Sequence, residues 1–175
     1  AVVGKYFGTG DFTLADSYIS VIEAGKAAAW HHDAHPELTW VDSEDFEKDP
    51  AQVSRLDAFD GIIVPGGFGH RGVEGIILAI RHTREKKIPY LGLCYGMQLA
   101  CIEFARNVLH LSHASTTEND PKTPEPIIYA NPLQARNIRE KHFGATMRLG
   151  AYDCKLKRGS KARAAYGADL ISERH

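Results

Sequence analysis

Gly92-Leu93-Cys94-Tyr95-Gly96 follows a short apolar run, Ile88-Pro89-Tyr90-Leu91, and leads straight into an apolar stretch from Met97 to Val108. A nucleophilic side chain between two glycines, at the junction of a strand and a helix, is the pattern a nucleophile elbow requires. The glycines let the backbone turn so sharply that the central side chain stands clear in strained geometry. A cysteine there sits at the positive end of the following helix, which favours its thiolate and offers backbone N–H groups to a developing oxyanion. The competing reading is a tight strand-to-helix turn that buries a cysteine as a small hydrophobe.

A second stretch, Gly61-Ile62-Ile63-Val64-Pro65-Gly66-Gly67-Phe68-Gly69, reads as another β-branched strand broken by Pro-Gly-Gly. Open parallel sheets place their sites at the carboxyl ends of such strands. An oxyanion hole takes one donor from the residue after the nucleophile and one from a neighbouring strand–helix loop. The N–H groups of Tyr95 and Gly67 are the natural pair. Gly67-Phe68-Gly69-His70-Arg71-Gly72 also spells the dinucleotide fingerprint G-x-G-x-x-G. That fingerprint belongs on the opening strand–helix turn, with an acidic residue about twenty positions on. Here it lies mid-chain and the elbow occupies the place of the acid, so the nucleotide reading is set aside.

The 175 residues suggest one domain with a substantial core, and 43% hydrophobic with 25% charged residues is ordinary for a globular protein. A formal net charge of −1 leaves no basic footprint for nucleic acid or an anionic membrane. No apolar run is long enough to span a bilayer, and the N-terminus lacks a signal-like pattern. Cys94, Cys101 and Cys154 are odd in number and without CxxC spacing, which argues against a disulfide framework and a zinc site. The expectation is a protein of the reducing cytoplasm with no bound metal.

Strands and helices alternate along the chain. Val2 to Tyr6, Leu38 to Asp42 and Gly61 to Val64 read as strands. Tyr18, Val21, Ile22, Gly25 and Ala29 mark one face of a helix, and Val73, Ile76, Ile77 and Ile80 line another. The helix after the elbow is apolar nearly all round and is expected to be buried. The order predicts an α/β fold: a three-layer sandwich with a mainly parallel central sheet and helices on both faces. Beyond Val108 the pattern weakens. His113 to Pro126 reads as a long loop, Ile127 to Tyr129 as a strand, and Leu133 to Phe143 as a lid or surface loop. Thr146 to Tyr152 and Cys154 to Leu156 read as a small C-terminal antiparallel hairpin, and Ser160 to Tyr166 as a short helix ended by Gly167.

The set Val64-Pro65-Gly66-Gly67-Phe68-Gly69, Arg71-Gly72-Val73-Glu74-Gly75 and Gly92 to Gln98 resembles the class I (triad) glutamine amidotransferases. Ser115-Thr116-Thr117-Glu118, Gly144-Ala145-Thr146-Met147-Arg148-Leu149-Gly150 and Ile171 to His175 resemble, more narrowly, the glutaminase domains of CTP synthases. The resemblance runs from Gly4-Lys5-Tyr6 to the last residue. It implies hydrolysis of L-glutamine to glutamate and ammonia, and use of that ammonia by a synthetase domain that converts UTP to CTP with ATP. By position it makes Cys94 the nucleophile, Gly67 and Tyr95 the oxyanion hole, and Gly66, Gly67, Tyr95, Gln98 and Glu118 the glutamine-binding set. Glu118 owes its role to the resemblance alone, since a loop carboxylate is ordinarily solvated. ATP, Mg and a GTP effector are implied for the whole enzyme and none for this domain. Phe68 to Gly75 and Pro132 to Phe143 are candidate elements for the GTP response, and a homotetramer built mainly through the other domain is implied.

The family completes a Cys-His-Glu triad with a His-Pro-Glu motif well beyond the Glu-Arg-His segment, and the expectation is that this chain contains no His-Pro-Glu, with none after Glu173-Arg174-His175. The chain therefore reads as part of a longer enzyme, with Cys94 open to acylation but slow to turn over. His31, His32 and His35 cluster temptingly, yet as solvated loop histidines without a further ligand at metal spacing. His70, His110, His113, His142 and His175 are not the triad base. Two rivals stay open: another cysteine-elbow hydrolase, and a non-catalytic regulatory module that keeps the fold.

Overall fold

The short apolar runs near Val2, Val41, Ile62 and Leu91 pair side by side, all in one direction. The computed structural model describes residues 1–5, 8–9, 12–13, 18–129 and 150–174, which fall into two compact units, 1–129 and 130–175. In the first unit β1 (Val2–Gly4), β4 (Trp40–Asp42), β5 (Ile62–Val64) and β6 (Tyr90–Gly92) form a parallel sheet in the order β4-β1-β5-β6. A two-rung ladder between β2 (Gly8–Thr9) and β3 (Phe12–Thr13) precedes α1 (Ile19–His31). Helices α2 (Ser43–Lys48), α3 (Val73–Lys86) and α4 (Tyr95–Asn107) link the later strands.

Side chains alternate across a strand, so each face of the sheet has its own cover. Val3, Val41, Ile62 and Val64 pack with Phe46, Leu56 and the apolar faces of α3 and α4. Val2 points the other way, onto Tyr18, with Val21 of α1 and Trp40 against them. Helices therefore flank both faces, as the alternation of elements predicted. On α3 the predicted stripe of Val73, Ile76, Ile77 and Ile80 is buried. Each such side chain contributes about 1.5–3 kcal/mol of hydrophobic stabilisation.

Two expectations change, and one stretch without an expectation takes a definite form. Leu99, Ile102 and Ala105 bury one side of α4, but Met97 is 51% exposed, Phe104 46%, and Cys101 also faces out. Apolar composition does not encode depth when neighbours cover only one side of a helix. The segment His113 to Pro126 is no plain loop: β7 (Ala114–Thr116) and β8 (Glu125–Ile128) form a parallel pair, with a register shift at Ser115/Thr116. The acidic stretch from Asp42 is helical. Asp42 caps α2 through the Glu44 N–H, and Asp49 then caps a 3₁₀ helix, Pro50–Ala58, through the Ala51 N–H.

In the second unit β9 (Ala151–Lys155) pairs antiparallel with β10 (Leu170–Arg174) around α5 (Lys161–Tyr166). The small C-terminal antiparallel pair is present, but its second strand is β10 and not Cys154 to Leu156, because Ala151 to Lys155 runs as one continuous strand. Ser160 caps α5 and Gly167, at φ +68°, ends it, as expected. The stretch 130–149, which holds the Leu133–Phe143 segment, the Pro132–Phe143 element and most of the Gly144–Gly150 motif, lies outside the described residues.

Candidate active site

β6 ends at Gly92, α4 begins at Tyr95, and Cys94 turns the chain between them with φ +51° and ψ −105°. An L-residue in that region carries about 1–3 kcal/mol of strain and persists only when its surroundings dictate it. Here they do. The Leu93 N–H donates to the Val64 carbonyl at 2.9 Å, and the Gly96 N–H donates to the Leu93 carbonyl at 3.0 Å. The Gln98 N–H closes the first turn on the Cys94 carbonyl at 3.1 Å, and the Tyr90 hydroxyl donates to the Gly96 carbonyl at 2.8 Å.

The two glycines are there for want of room. A Cβ on Gly92 would lie 2.6 Å from the Gly96 carbonyl carbon, and one on Gly96 would lie 2.2 Å from the Val64 carbonyl oxygen. Backbone against backbone cannot yield, so α4 seats directly on β5 and β6. Cys94 is left exposed at the N-terminus of α4, and the buried-hydrophobe reading of this cysteine fails.

Pro65-Gly66-Gly67 runs beside the elbow, so close that a Cβ on Gly66 would be 3.5 Å from the Cys94 Cβ and 3.9 Å from Sγ. Among the described residues no hydrogen bond engages the Gly67 N–H. Past it, the loop is clamped at one peptide. The Gly69 carbonyl accepts from Lys5 Nζ at 2.6 Å and from the Tyr95 hydroxyl at 2.9 Å. The Gly69 N–H donates to Glu118 Oε1 at 2.6 Å. Lys5 Nζ lies 4.8 Å from the Tyr95 ring centroid, a cation–π contact, and the Arg71 guanidinium donates to the Lys5 carbonyl at 2.6 Å. Burial pulls the Lys5 ammonium below the usual lysine range, against the opposing pull of the Glu118 carboxylate.

The loop ends where α3 begins. A Cβ on Gly75 would meet the Ser43 carbonyl oxygen at 1.9 Å, so the second glycine of Arg71-Gly72-Val73-Glu74-Gly75 serves the contact between α2 and α3. Glu47 Oε1 accepts from the Glu74 N–H at 3.1 Å and tops the helix.

The sequence-derived set thus gathers as follows. Cys94, Tyr95, Gly66 and Gly67 meet at the carboxyl ends of β5 and β6. Glu118, in the turn after β7, reaches the same loop through Gly69. Gln98 lies one turn along α4 from Cys94, half-buried. Sequence reasoning missed Lys5 and Asn119; Asn119 Nδ2 donates to the Tyr95 hydroxyl at 2.8 Å, and no pattern in the chain announces either residue.

The expectation that the chain contains no His-Pro-Glu fails as spelling, because His35-Pro36-Glu37 is the family's triad triplet letter for letter. These residues precede β4, at the amino end of a parallel sheet whose carboxyl end holds Cys94. Glu37 borders a cleft formed with Ala1, Gly61 and Pro89, likewise at the amino ends of strands. A strand of three residues puts about 10 Å of sheet between the two ends. The triplet is a coincidence of spelling.

His31, His32 and His35 are exposed, and the rings of the first two meet edge to face at 5.1 Å. His70, His110 and His113 are exposed too, and His142 and His175 lie outside the described residues. Among the described residues no group of three or more His, Cys, Asp or Glu side chains gathers as a metal would need, and no helix is long and apolar enough to cross a membrane.

The family model for glutamine amidotransferase class-I matches residues 13–169. The chain is 53% identical over its full length to a CTP synthase of Methanococcoides burtonii and 50% identical over 99% of its length to one of Carboxydothermus hydrogenoformans, spanning 31% of each protein. The glutaminase domain of Trypanosoma brucei CTPS, solved with bound acivicin, superposes with a TM-score of 0.85 at 30% identity, over 99% of this chain and 65% of that one. With an elbow cysteine set against a Pro-Gly-Gly loop and a family match across most of its length, this chain belongs to the class-I glutamine amidotransferases.

Proposed function

We propose that the chain is the glutaminase part of a CTP synthase, hydrolysing L-glutamine to glutamate and ammonia for the amination of UTP. One observation carries the chemistry: a strained, exposed cysteine at the start of α4, with the Gly66–Gly67 loop within van der Waals reach. In this reading the Cys94 thiolate attacks the glutamine carboxamide carbon, and the carbonyl oxygen becomes an oxyanion held by the Gly67 and Tyr95 N–H groups. The carbon–nitrogen bond breaks, ammonia leaves with a proton from a general acid, and a γ-glutamyl thioester remains. Water then cleaves the thioester, releasing glutamate and the thiolate.

Gly66 and Gln98 border the substrate, and Glu118 holds its α-ammonium. Because Oε1 of Glu118 rests on the Gly69 N–H, Oε2 is the oxygen free to swing to the ligand. The family model runs across both units, which supports reading the chain as one amidotransferase domain. The relatives' name supports a synthetase partner domain, which would take ATP, Mg and UTP; a GTP effector and a cytoplasmic homotetramer belong to the same proposal for the whole enzyme.

The test treats the protein with a chloromethyl ketone built on the glutamine skeleton and maps the adducts by mass spectrometry. Cys94, Cys101 and Cys154 are all exposed, so exposure alone cannot select among them. Modification of Cys94 alone, slowed by L-glutamine, is expected. Equal labelling of the three, untouched by glutamine, would reject the proposal.

A further inference from the structure

The geometry points to the Tyr95 phenol and the Lys5 ammonium as positioning residues that hold the oxyanion loop in register with the nucleophile, an inference that rests on the glutaminase reading above. Tyr95 belongs to both sides of the site. Its backbone follows Cys94, whereas its side chain, 1% exposed, reaches across to the Gly69 carbonyl. A phenol has one proton. The Gly69 carbonyl at 2.9 Å is a closer acceptor for it than Asn119 Oδ1 at 3.2 Å, and the phenol oxygen accepts from Asn119 Nδ2 at 2.8 Å. Lys5, 2% exposed at the end of β1, delivers a second donor to the same carbonyl and lies over the Tyr95 ring.

The Gly69 peptide is thereby gripped from three elements, with Glu118 on its N–H. The need for such a grip is plain from the loop itself. Gly66, Gly67 and Gly69 carry no side chains to pack, and Gly69 sits at φ +75°. An oxyanion donor must stand 2.7–3.1 Å from the developing charge, so slack of even 1 Å in that loop is kinetically expensive.

The test compares two reactions of the same sulfur. With the glutamine-like chloromethyl ketone, the Cys94 thiolate adds to the ketone carbonyl to give an alkoxide in the oxyanion hole. The sulfur then displaces chloride from the adjacent carbon, the alkoxide re-forms the ketone as its own carbon–sulfur bond breaks, and a thioether remains. Iodoacetamide alkylates the same sulfur by direct displacement of iodide, with no oxyanion, and serves as the reference. The ratio of the two rates is read in wild type, Tyr95→Phe and Lys5→Met, on the protein at its natural length, with thermal melts alongside.

The expected result is a fall of about 10-fold in the ratio for each variant, less than the ~10²–10³-fold loss of an oxyanion donor itself. The iodoacetamide rate, which a merely structural change at the elbow would move together with the ketone rate, is expected to stay within about two-fold. A ratio unchanged in Tyr95→Phe, while wild-type Cys94 is labelled selectively by the ketone, overturns this inference and leaves the glutaminase reading standing. Wild-type protein that the ketone does not label at Cys94 overturns both.

Discussion

Adding one methyl group at Gly96 tests how tightly the elbow is built. An alanine Cβ there would stand 2.2 Å from the Val64 carbonyl oxygen and 2.9 Å from both its carbonyl carbon and its Cβ. Uncharged carbon and oxygen approach comfortably only beyond about 3.3 Å, so roughly 1 Å of separation must come from sliding α4 off β5. Overpacking of this kind costs about 1–3 kcal/mol. The slide also strains the Leu93-to-Val64 hydrogen bond, adding about 0.5–1.5 kcal/mol. The total of about 1.5–4.5 kcal/mol corresponds to a fall in Tm of about 3–18 °C at this size. Gly25→Ala in α1 is the control, since nothing lies within 4 Å of the added Cβ and helix propensity favours alanine by about 0.5–1 kcal/mol. Differential scanning calorimetry of the two variants decides the matter. A Gly96→Ala protein melting within 2 °C of wild type, by the slope just used, would mean that the close seating of α4 on β5 does not exist.

Cys94→Gly should raise stability by about 1–2 kcal/mol over Cys94→Ala, because glycine alone accepts φ +51° freely, although both lose all labelling; urea melts of the pair measure it. Arg84→Met strips the guanidinium that grips the 1%-exposed Glu103 carboxylate through three hydrogen bonds. With Arg84 itself one-third exposed, a loss of about 2–4 kcal/mol in chemical denaturation is expected. Burial, then the neighbouring Cys101 and Glu103, pushes the Tyr90 phenol well above the usual tyrosine range. The unfolded chain therefore releases that proton from about pH 10 while the folded chain holds it, so stability is complete below pH 10 and declines above it. Melts of Tyr90→Phe across pH 8–11 should show a shallower decline than wild type above about pH 10, and parallel curves would refute the assignment.

The parallel sheet was legible because Val2-Val3 and Ile62-Ile63-Val64 are β-branched runs bounded by glycine, because Leu38 to Val41 is a short, mainly apolar run, and because α3 carries its apolar residues at helical spacing. The elbow was legible for a different reason: Gly92 and Gly96 stand where only backbone contact is possible, and that constraint is written in the residue type. What escaped notice depends on through-space relations. Lys5 lies 64 residues from the Gly69 carbonyl it binds. The outward side of α4 looks apolar in sequence because composition records chemistry and not neighbours. β7 escaped because Ala114-Ser115-Thr116 is too short and too polar to show a period, though all three residues are buried. His35-Pro36-Glu37 teaches the converse. Its letters match the family triad, and only the direction of β4 shows that it faces the wrong end of the sheet.

The most direct trial of the central claim is peptide mapping of protein quenched in acid during reaction with L-glutamine. A γ-glutamyl thioester on the Cys94 peptide, absent from those of Cys101 and Cys154 and discharged by hydroxylamine, is the predicted result. Ammonia accumulating in the same tube while the Cys94 peptide stays unmodified at every quench time, and while Cys94→Ala releases ammonia equally fast, would contradict it.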